Sequence, residues 1–369
     1  VGVYDGVATT GDATLNTSGN YTDPDGSWVP GGTLMQLNFG NLIISSAYYD
    51  NSNKEVYMYP YDDNQGSHLS VRALNQVGYD DSSALSIFGT EYNDLIAGHD
   101  DSNSAALTIN SYAGLDVIDI SNHTGADTVD AGSGNDIVHV NNSYASDTSI
   151  DGGDGTDWLI ILGSSAVNYT INSSTTTNFE NVRTGSGDDT ITGDDSANRL
   201  VGWGGADTIS GGNGNDELYG YVDQNPQGVS DGIDKLYGGA GDDSLYGGAG
   251  DDLLDGGTGK DTLTGDGGAE SYDRGGARGA DTFVIRAGDG GASIELADVV
   301  TDFEDGTDLI GLDSITFNEL TIKQGTGDYA NHVVVKKTDT DEFLVIIQNI
   351  NVSNVTYSDL VSTSTEAQT

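Results

Sequence analysis

Across residues 184–273 one large apolar residue recurs every nine positions in a background of glycine, aspartate and small polar residues. The series is Ile191, Leu200, Ile209, Leu218, Gln227, Leu236, Leu245, Leu254, Leu263 and Tyr272, with Gln227 the only polar member. Two positions before each stands Asp189, Asn198, Asp207, Asp216, Asn225, Asp234, Asp243, Asp252, Asp261 or Glu270. The clearest copies are Gly211-Gly-Asn-Gly-Asn-Asp-Glu-Leu-Tyr219 and Gly247-Gly-Ala-Gly-Asp-Asp-Leu-Leu-Asp255, the pattern GGxGxDxUx with U apolar. Such a period fits neither an amphipathic helix nor a long alternating strand; it predicts a stacked repeat. The glycines permit positive φ and close backbone approach, and x-U-x makes a three-residue strand with one side chain inward.

Two copies complete one coil, so acidic positions two copies apart lie above one another. This predicts one edge carrying Asp189, Asp207, Asn225, Asp243 and Asp261, and an opposite edge carrying Asn198, Asp216, Asp234, Asp252 and Glu270. Pro226 and Gln227 predict a bulge, because proline cannot donate to a ladder.

The rest of the chain divides around this array. Residues 1–88 form a β-rich, tyrosine-containing module with strands expected at Leu34–Ser45 and Lys54–Tyr61. Residues 89–183 hold an irregular set of related copies and a spacer, with acidic positions Asp94, Asp116, Asp127, Asp136 and Asp157. Residues 184–284 hold the regular array. Residues 285–369 have fewer glycines and more Val and Ile, and read as a closing cap with strands near Leu320–Lys323, His332–Lys337 and Phe343–Ile347. The fold class is all-β: a parallel β-roll in two stretches, with β-rich ends.

Charge narrows the partners. The chain carries 54 glycines, 4 prolines and a formal charge of −47, and between Val1 and Val182 only Lys54 and Arg72 are basic. Such a field repels nucleic acid and anionic lipid, and no apolar run is long enough to span a membrane. Low hydrophobicity with high charge ordinarily means disorder, but the regular Leu and Ile spacing argues for a packed array. There is no cysteine, which removes disulfides and thiolate ligands. The start at Val1 is what a processed chain or an excised fragment would show.

Stacked coils lie about 4.8 Å apart, so aligned carboxylates repel unless a cation sits between them. Calcium suits the gap because it accepts many oxygens in flexible geometry, while magnesium demands a stricter octahedron and zinc prefers His or Cys. Sites binding near 10⁻⁴ M, in calcium of about 1 mM, add roughly 1.4 kcal/mol each to folding. The array is therefore expected to be a calcium-gated folding unit.

Catalytic readings fare worse. The five histidines are His68, His99, His123, His139 and His332, with no HExxH, and no GxSxG occurs. His99 beside Asp100 and Asp101 reads as a loop between irregular repeats. Asp242-Asp243 and Asp251-Asp252 resemble a hydrolase carboxylate pair, but their recurrence at fixed repeat positions favours calcium. Tyr48, Tyr49, Tyr57, Tyr59 and Tyr61, with Trp28, could offer a sugar-stacking or self-association surface, although alternating aromatics are commonly strand-formers.

The repeats resemble the RTX family, the haemolysin-type calcium-binding nonapeptide proteins. The segment from Ala280-Asp-Thr-Phe-Val284 through Asp298-Val-Val-Thr-Asp-Phe-Glu-Asp-Gly-Thr-Asp-Leu-Ile310 resembles the cap of serralysin-type proteases. The resemblance implies a right-handed parallel β-roll with calcium between turns, passage through type I secretion machinery, and folding on extracellular calcium. The implied ligands are Asp189, Asp207, Asp216, Asp234, Asp243, Asp252 and Asp261, with turn carbonyls at Gly211, Gly238, Gly247 and Gly256. Asp94, Asp116, Asp127, Asp136 and Asp157 are implied in the first array. Asn198 and Asn225 remove charge and weaken their sites. The expected function is a secreted, non-enzymatic, structural or adhesive cell-surface element that self-associates or meets surface polysaccharide. The alternative is the non-catalytic calcium module of a larger secreted enzyme, such as an epimerase, lipase or protease.

Overall fold

The computed structural model describes the strands Gly32–Phe39, Leu42–Asp50, Glu55–Met58 and Ser70–Ala73 by their backbone. Beyond these it describes residues 85–97, 106–221, 232–266 and 279–363, apart from 92 and 122. The strands form three sheets, and within each unit short parallel strands alternate between two of them as a β-roll. Contacts divide it into two units, Val1–Leu162 with Asn172–Asn181, and Gly163–Ile171 with Val182–Thr369.

In the first unit one sheet runs Ser70–Ala73, Asp94–Ala97, Val117–Asp119, Ile137–Asn141, Trp158–Leu162, each pair parallel. The other holds Glu55–Met58, Leu85–Thr90, Leu107–Tyr112, Thr128–Asp130, Ser149–Asp151 and Thr176–Thr177, also parallel. The strand expected across Leu34–Ser45 is two antiparallel strands, with Phe39 opposite Leu42 and Gly32 opposite Asp50. The tyrosine side chains of this region lie outside the described residues.

The second unit shows why a nine-residue period specifies this fold. Strands Thr190–Thr192, Thr208–Asn213, Lys235–Ala240, Leu253–Thr258, Thr282–Arg286 and Leu309–Asp313 pair in parallel, and their apolar members align as Ile191, Ile209, Leu236, Leu254, Phe283 and Ile310. Strands Arg199–Val201, Glu217–Tyr219, Ser244–Gly248, Thr262–Asp266 and Asp298–Val300 align Leu200, Leu218, Leu245, Leu263 and Val300. From Ile191 through Leu263 these aligned side chains, eight in all, are completely buried. Each inward Leu or Ile stabilises the roll by about 1.5–3 kcal/mol, and two files of them fill the space between the sheets.

The cap changes the pairing as expected from its composition. Phe343–Ile347 joins Asp298–Val300 in parallel, and then Val333–Lys337 and Leu320–Gln324 follow antiparallel. This hairpin buries Val333, Val335, Val345 and Ile347. A charged antiparallel edge, with Lys323 on its outer strand, blunts further strand addition.

Candidate metal centre

The acidic residues link successive rungs, each accepting the backbone N–H of the one before it. In the second unit the Oδ1 of Asp207 accepts the backbone N–H of Asp189 at 2.8 Å. Asp234 does the same for Asp207 at 2.7 Å, Asp252 for Asp234 at 2.8 Å, and Asp281 for Asp252 at 2.9 Å. Asp308 then accepts from Asp281 at 3.0 Å. The opposite edge runs from Asn198 to Asp216 at 2.8 Å, Asp243 at 2.7 Å, Asp261 at 2.8 Å and Asp298 at 2.9 Å. These bonds satisfy turn donors that no strand reaches.

The edges differ from the expected ones after Asp216. Asp243 and Asp261 stack beyond Asp216, not beyond Asp207, and Asp234 and Asp252 stack beyond Asp207. Asp207 and Asp234, like Asp216 and Asp243, are 27 residues apart yet on adjacent rungs, so one nonapeptide more than a coil separates them. Gly220-Tyr221 starts a turn that resumes at Gly232-Ile233-Asp234, and Gly232 stacks on the carbonyl of Gly205 as Gly250 does on that of Gly232. One surplus nonapeptide is half a coil, so treating it as a rung exchanges the two edges. Asn225, the bulge expected at Pro226 and Gln227, Glu270 and Tyr272 lie outside the described residues, as do His99, Asp100 and Asp101.

The second carboxylate oxygen is the chemically open one. The Oδ2 atoms of Asp136, Asp157, Asp216, Asp243, Asp252, Asp261 and Asp281 are buried and make no hydrogen bond. A buried carboxylate oxygen without a partner costs on the order of 1–3 kcal/mol, more if charged. The first glycine of each turn shows where these atoms point. A Cβ placed on Gly238 would lie 2.4 Å from Asp243 Oδ2 and 2.4 Å from the carbonyl oxygen of Gly256. On Gly211 it would meet Asp216 Oδ2 at 2.2 Å and Gly238 O at 2.6 Å; on Gly247, Asp252 Oδ2 at 2.5 Å and Gly265 O at 2.6 Å. At Gly220 the pair is Asp234 Oδ2 and Gly247 O, and at Gly193 it is Asn198 Oδ1 and Gly211 O. Each turn thus directs a side-chain oxygen and the next rung's carbonyl into one cradle that only glycine leaves open.

Electrostatics agrees with an unmet demand for positive charge. Burial pushes the carboxyls of Asp116, Asp136, Asp216 and Asp261 up to about 7, and those of Asp157, Asp243 and Asp252 to about 6. Asp281 reaches about 8, through burial first and then the charges of Asp252, Asp308 and Asp266. The N–H bonds to Oδ1 oppose this rise without cancelling it. Among the described residues no three His, Asp or Glu side chains gather as a metal cluster. The cradles are instead distributed, one carboxylate per turn with backbone carbonyls, an all-oxygen donor set that fits calcium.

In the first unit Asp116 accepts from Asp94, Asp136 from Asp116 and Asp157 from Asp136, each at 2.7 Å, and Glu180 accepts from Asp157 at 2.8 Å. Asp127 stands apart, on the other edge, where it accepts from Leu107 at 2.8 Å and donates its N–H to Asp147 at 3.1 Å. The sequence reading missed Asp147, Glu180, Asp281, Asp298 and Asp308 as members of these edges. For Asp281, Asp298 and Asp308 a signal was present, since Phe283, Val300 and Ile310 follow two positions later.

Four copies of the RTX calcium-binding nonapeptide repeat match the chain, over residues 123–142, 180–221, 229–263 and 251–283. No curated protein matches it. Among solved structures the chain is similar to the AlgE6R2 subunit of the Azotobacter vinelandii mannuronan C5-epimerase, at 23% identity and a TM-score of 0.25, over 47% of this chain and 92% of that one. The AlgE6R3 subunit of the same organism's enzyme aligns at 18% identity and a TM-score of 0.20, over 56% of this chain and 84% of that one. The chain carries RTX calcium-binding repeats.

Proposed function

We propose that the RTX repeats of this chain are a calcium-gated folding unit of a secreted structural or adhesive protein. The proposed ligands are Asp189, Asp207, Asp216, Asp234, Asp243, Asp252 and Asp261, with carbonyls of Gly211, Gly238, Gly247 and Gly256. In the first unit they are Asp94, Asp116, Asp136 and Asp157. The observation that carries this reading is the row of buried carboxylate oxygens that make no hydrogen bond, aimed with turn carbonyls into glycine cradles. Bound calcium supplies the positive charge and the oxygen coordination that the protein's own groups leave open.

Cells keep cytosolic calcium low, and extracellular modules bind in the 10⁻⁴–10⁻³ M range, of the order met outside the cell. Folding would then follow export, and the chain, at −47, would stay extended by self-repulsion until cations arrive. Its role at a surface or in a matrix is that of a rigid calcium-dependent element, with self-association as the partner reaction.

Calcium titration followed by circular dichroism tests the folding switch, with electron microscopy on the same sample for assembly. The expected result is a cooperative gain of β-structure with calcium, reversed by chelator, and ordered assemblies at millimolar calcium. Folding indifferent to chelator would remove the central reading. A monomer by light scattering across a wide concentration range would remove the assembly part alone.

A further inference from the structure

In the first array the second oxygen of Asp127 is met by a side-chain base. Its Oδ1 takes the N–H of Leu107 at 2.8 Å, as Asp136 takes that of Asp116. Its Oδ2, however, lies 2.7 Å from Nδ1 of His123, with both side chains buried at 5% and 1% exposure. Asp136 and Asp157 leave the equivalent oxygen without a hydrogen bond.

His123 stands at the second position of its turn, where Gly132, Gly153, Gly239 and Gly257 occupy other copies with positive φ. Its backbone is fixed in place: the N–H donates to Ile120 O at 2.9 Å, and Asn141 Nδ2 donates to His123 O at 2.8 Å and Ser121 O at 3.0 Å. Nδ1 also takes the backbone N–H of Gly125 at 3.2 Å, so the imidazole bridges Asp127 Oδ2 and the turn backbone. The next turn on the same edge, Ser143-Tyr-Ala-Ser-Asp147, has no glycine and is a 3₁₀ turn over Tyr144–Ser146. The glycine-lined carbonyl cradle found beside Asp243 is therefore not repeated in that turn.

We propose that His123 takes the place of a metal ion at the Asp127 rung, which the protein closes with its own imidazole and which binds no calcium. This removes Asp127 from the ligand set that the repeat pattern implies, and it leaves the first unit's proposed calcium on the edge of Asp94, Asp116, Asp136 and Asp157. The inference rests on the calcium reading above.

The test is the number of calcium ions bound per chain, measured by equilibrium dialysis with metal analysis on the full chain, for the wild type and for D127N, H123Q and D136N. D136N should bind at least one ion fewer than the wild type, while D127N and H123Q should bind the wild-type number. A lower number in D127N or in H123Q would overturn the proposal, because Asp127 or His123 would then belong to a metal site. Should D127N fail to fold, H123Q, which keeps a donor near Asp127, still decides. Wild-type protein without bound calcium would instead overturn the functional reading itself.

Discussion

Asp243 Oδ1 accepts the backbone N–H of Asp216 across 27 residues, whereas Asp261 Oδ1 accepts that of Asp243 across 18. The same 27-residue step joins Asp207 to Asp234 on the other edge, so both edges absorb one extra nonapeptide without a change of register. Removing residues 222–230 would leave Gly220-Tyr-Asp-Gly-Ile-Asp, the repeat's own turn grammar. The shortened chain should fold on calcium with the wild-type number of bound ions and a thermal midpoint at or slightly above the wild type's, since fewer residues between the flanking rungs cost less closure entropy, by under about 1 kcal/mol. A loss of calcium sites on deletion would show that the removed residues contribute ligands.

That exchange of edges marks the boundary of what was legible. The inward residues Ile191 to Leu263 were readable because an apolar side chain at fixed spacing has one packing solution in a stacked coil. The parity of coils was not, because Asn225 keeps the nine-residue count while the strands on either side of its copy, Thr208–Asn213 and Lys235–Ala240, pair directly. Asp298 and Asp308 escaped for a different reason: they sit 37 and 27 residues from the partners that donate to them, Asp261 and Asp281, and no glycine run announces them. His123 escaped because its contact with Asp127 depends on how one turn folds, which no period encodes.

Asp242 and Asp243 are adjacent and should behave differently. Asp243 is buried with Oδ2 open in the cradle of Gly238, while Asp242 is exposed and its Oδ1 accepts the N–H of Lys260 at 2.9 Å. D243N should lower the bound calcium by at least one ion, and D242N should leave the number unchanged with at most about 1 kcal/mol lost. Gly238→Ala should resemble D243N, because its methyl would collide with both Asp243 Oδ2 and Gly256 O; overpacking of this kind costs about 1–3 kcal/mol. Isothermal titration beside chemical denaturation separates the two effects, and equal calcium numbers in D242N and D243N would refute the assignment.

The raised carboxyls give metal-free protein an inverted pH response. Asp136, Asp216 and Asp261 at about 7 and Asp281 at about 8 hold protons in the folded state that the unfolded chain, near 3.8, has released. Their contribution is fully present below the unfolded value and is lost as pH rises through the folded values, so stability in chelator should fall from about pH 5 to about pH 8. Where acid has folded the metal-free chain, calcium must displace those protons, and its addition should release acid that a pH-stat records; where the metal-free chain is still extended, little should be released. The β-structure seen in chelator should accordingly grow as pH falls over that interval, and a β-content in chelator that rises with pH instead would contradict the burial of these groups.

Arg286 is the counter-charge for three buried carboxylates in the second unit. Its Nη2 pairs with Asp255, its Nε donates to Asp313 Oδ2 at 3.1 Å, and its Nη1 lies 3.7 Å from Asp289 Oδ1. The backbone N–H of Arg286 also donates to Asp289 Oδ2 at 3.0 Å, which ties the segment after Thr282–Arg286 to the same cluster. Burial, aided by the charge of Asp255, already pushes Asp289 up to about 7 despite the guanidinium. Removing the arginine leaves Asp255, Asp289 and Asp313 buried among themselves, and breaking a buried pair in this way costs about 3–5 kcal/mol. R286M should therefore lose that much in denaturant unfolding at saturating calcium near pH 8. The loss should shrink toward about pH 5, where the orphaned carboxyls take up protons instead of repelling one another. Because the arginine lies on strand Thr282–Arg286 and reaches strands Leu253–Thr258 and Leu309–Asp313, the same variant should also weaken hydrogen-exchange protection in all three. A change below about 1 kcal/mol at pH 8 would place Arg286 with ordinary surface ion pairs.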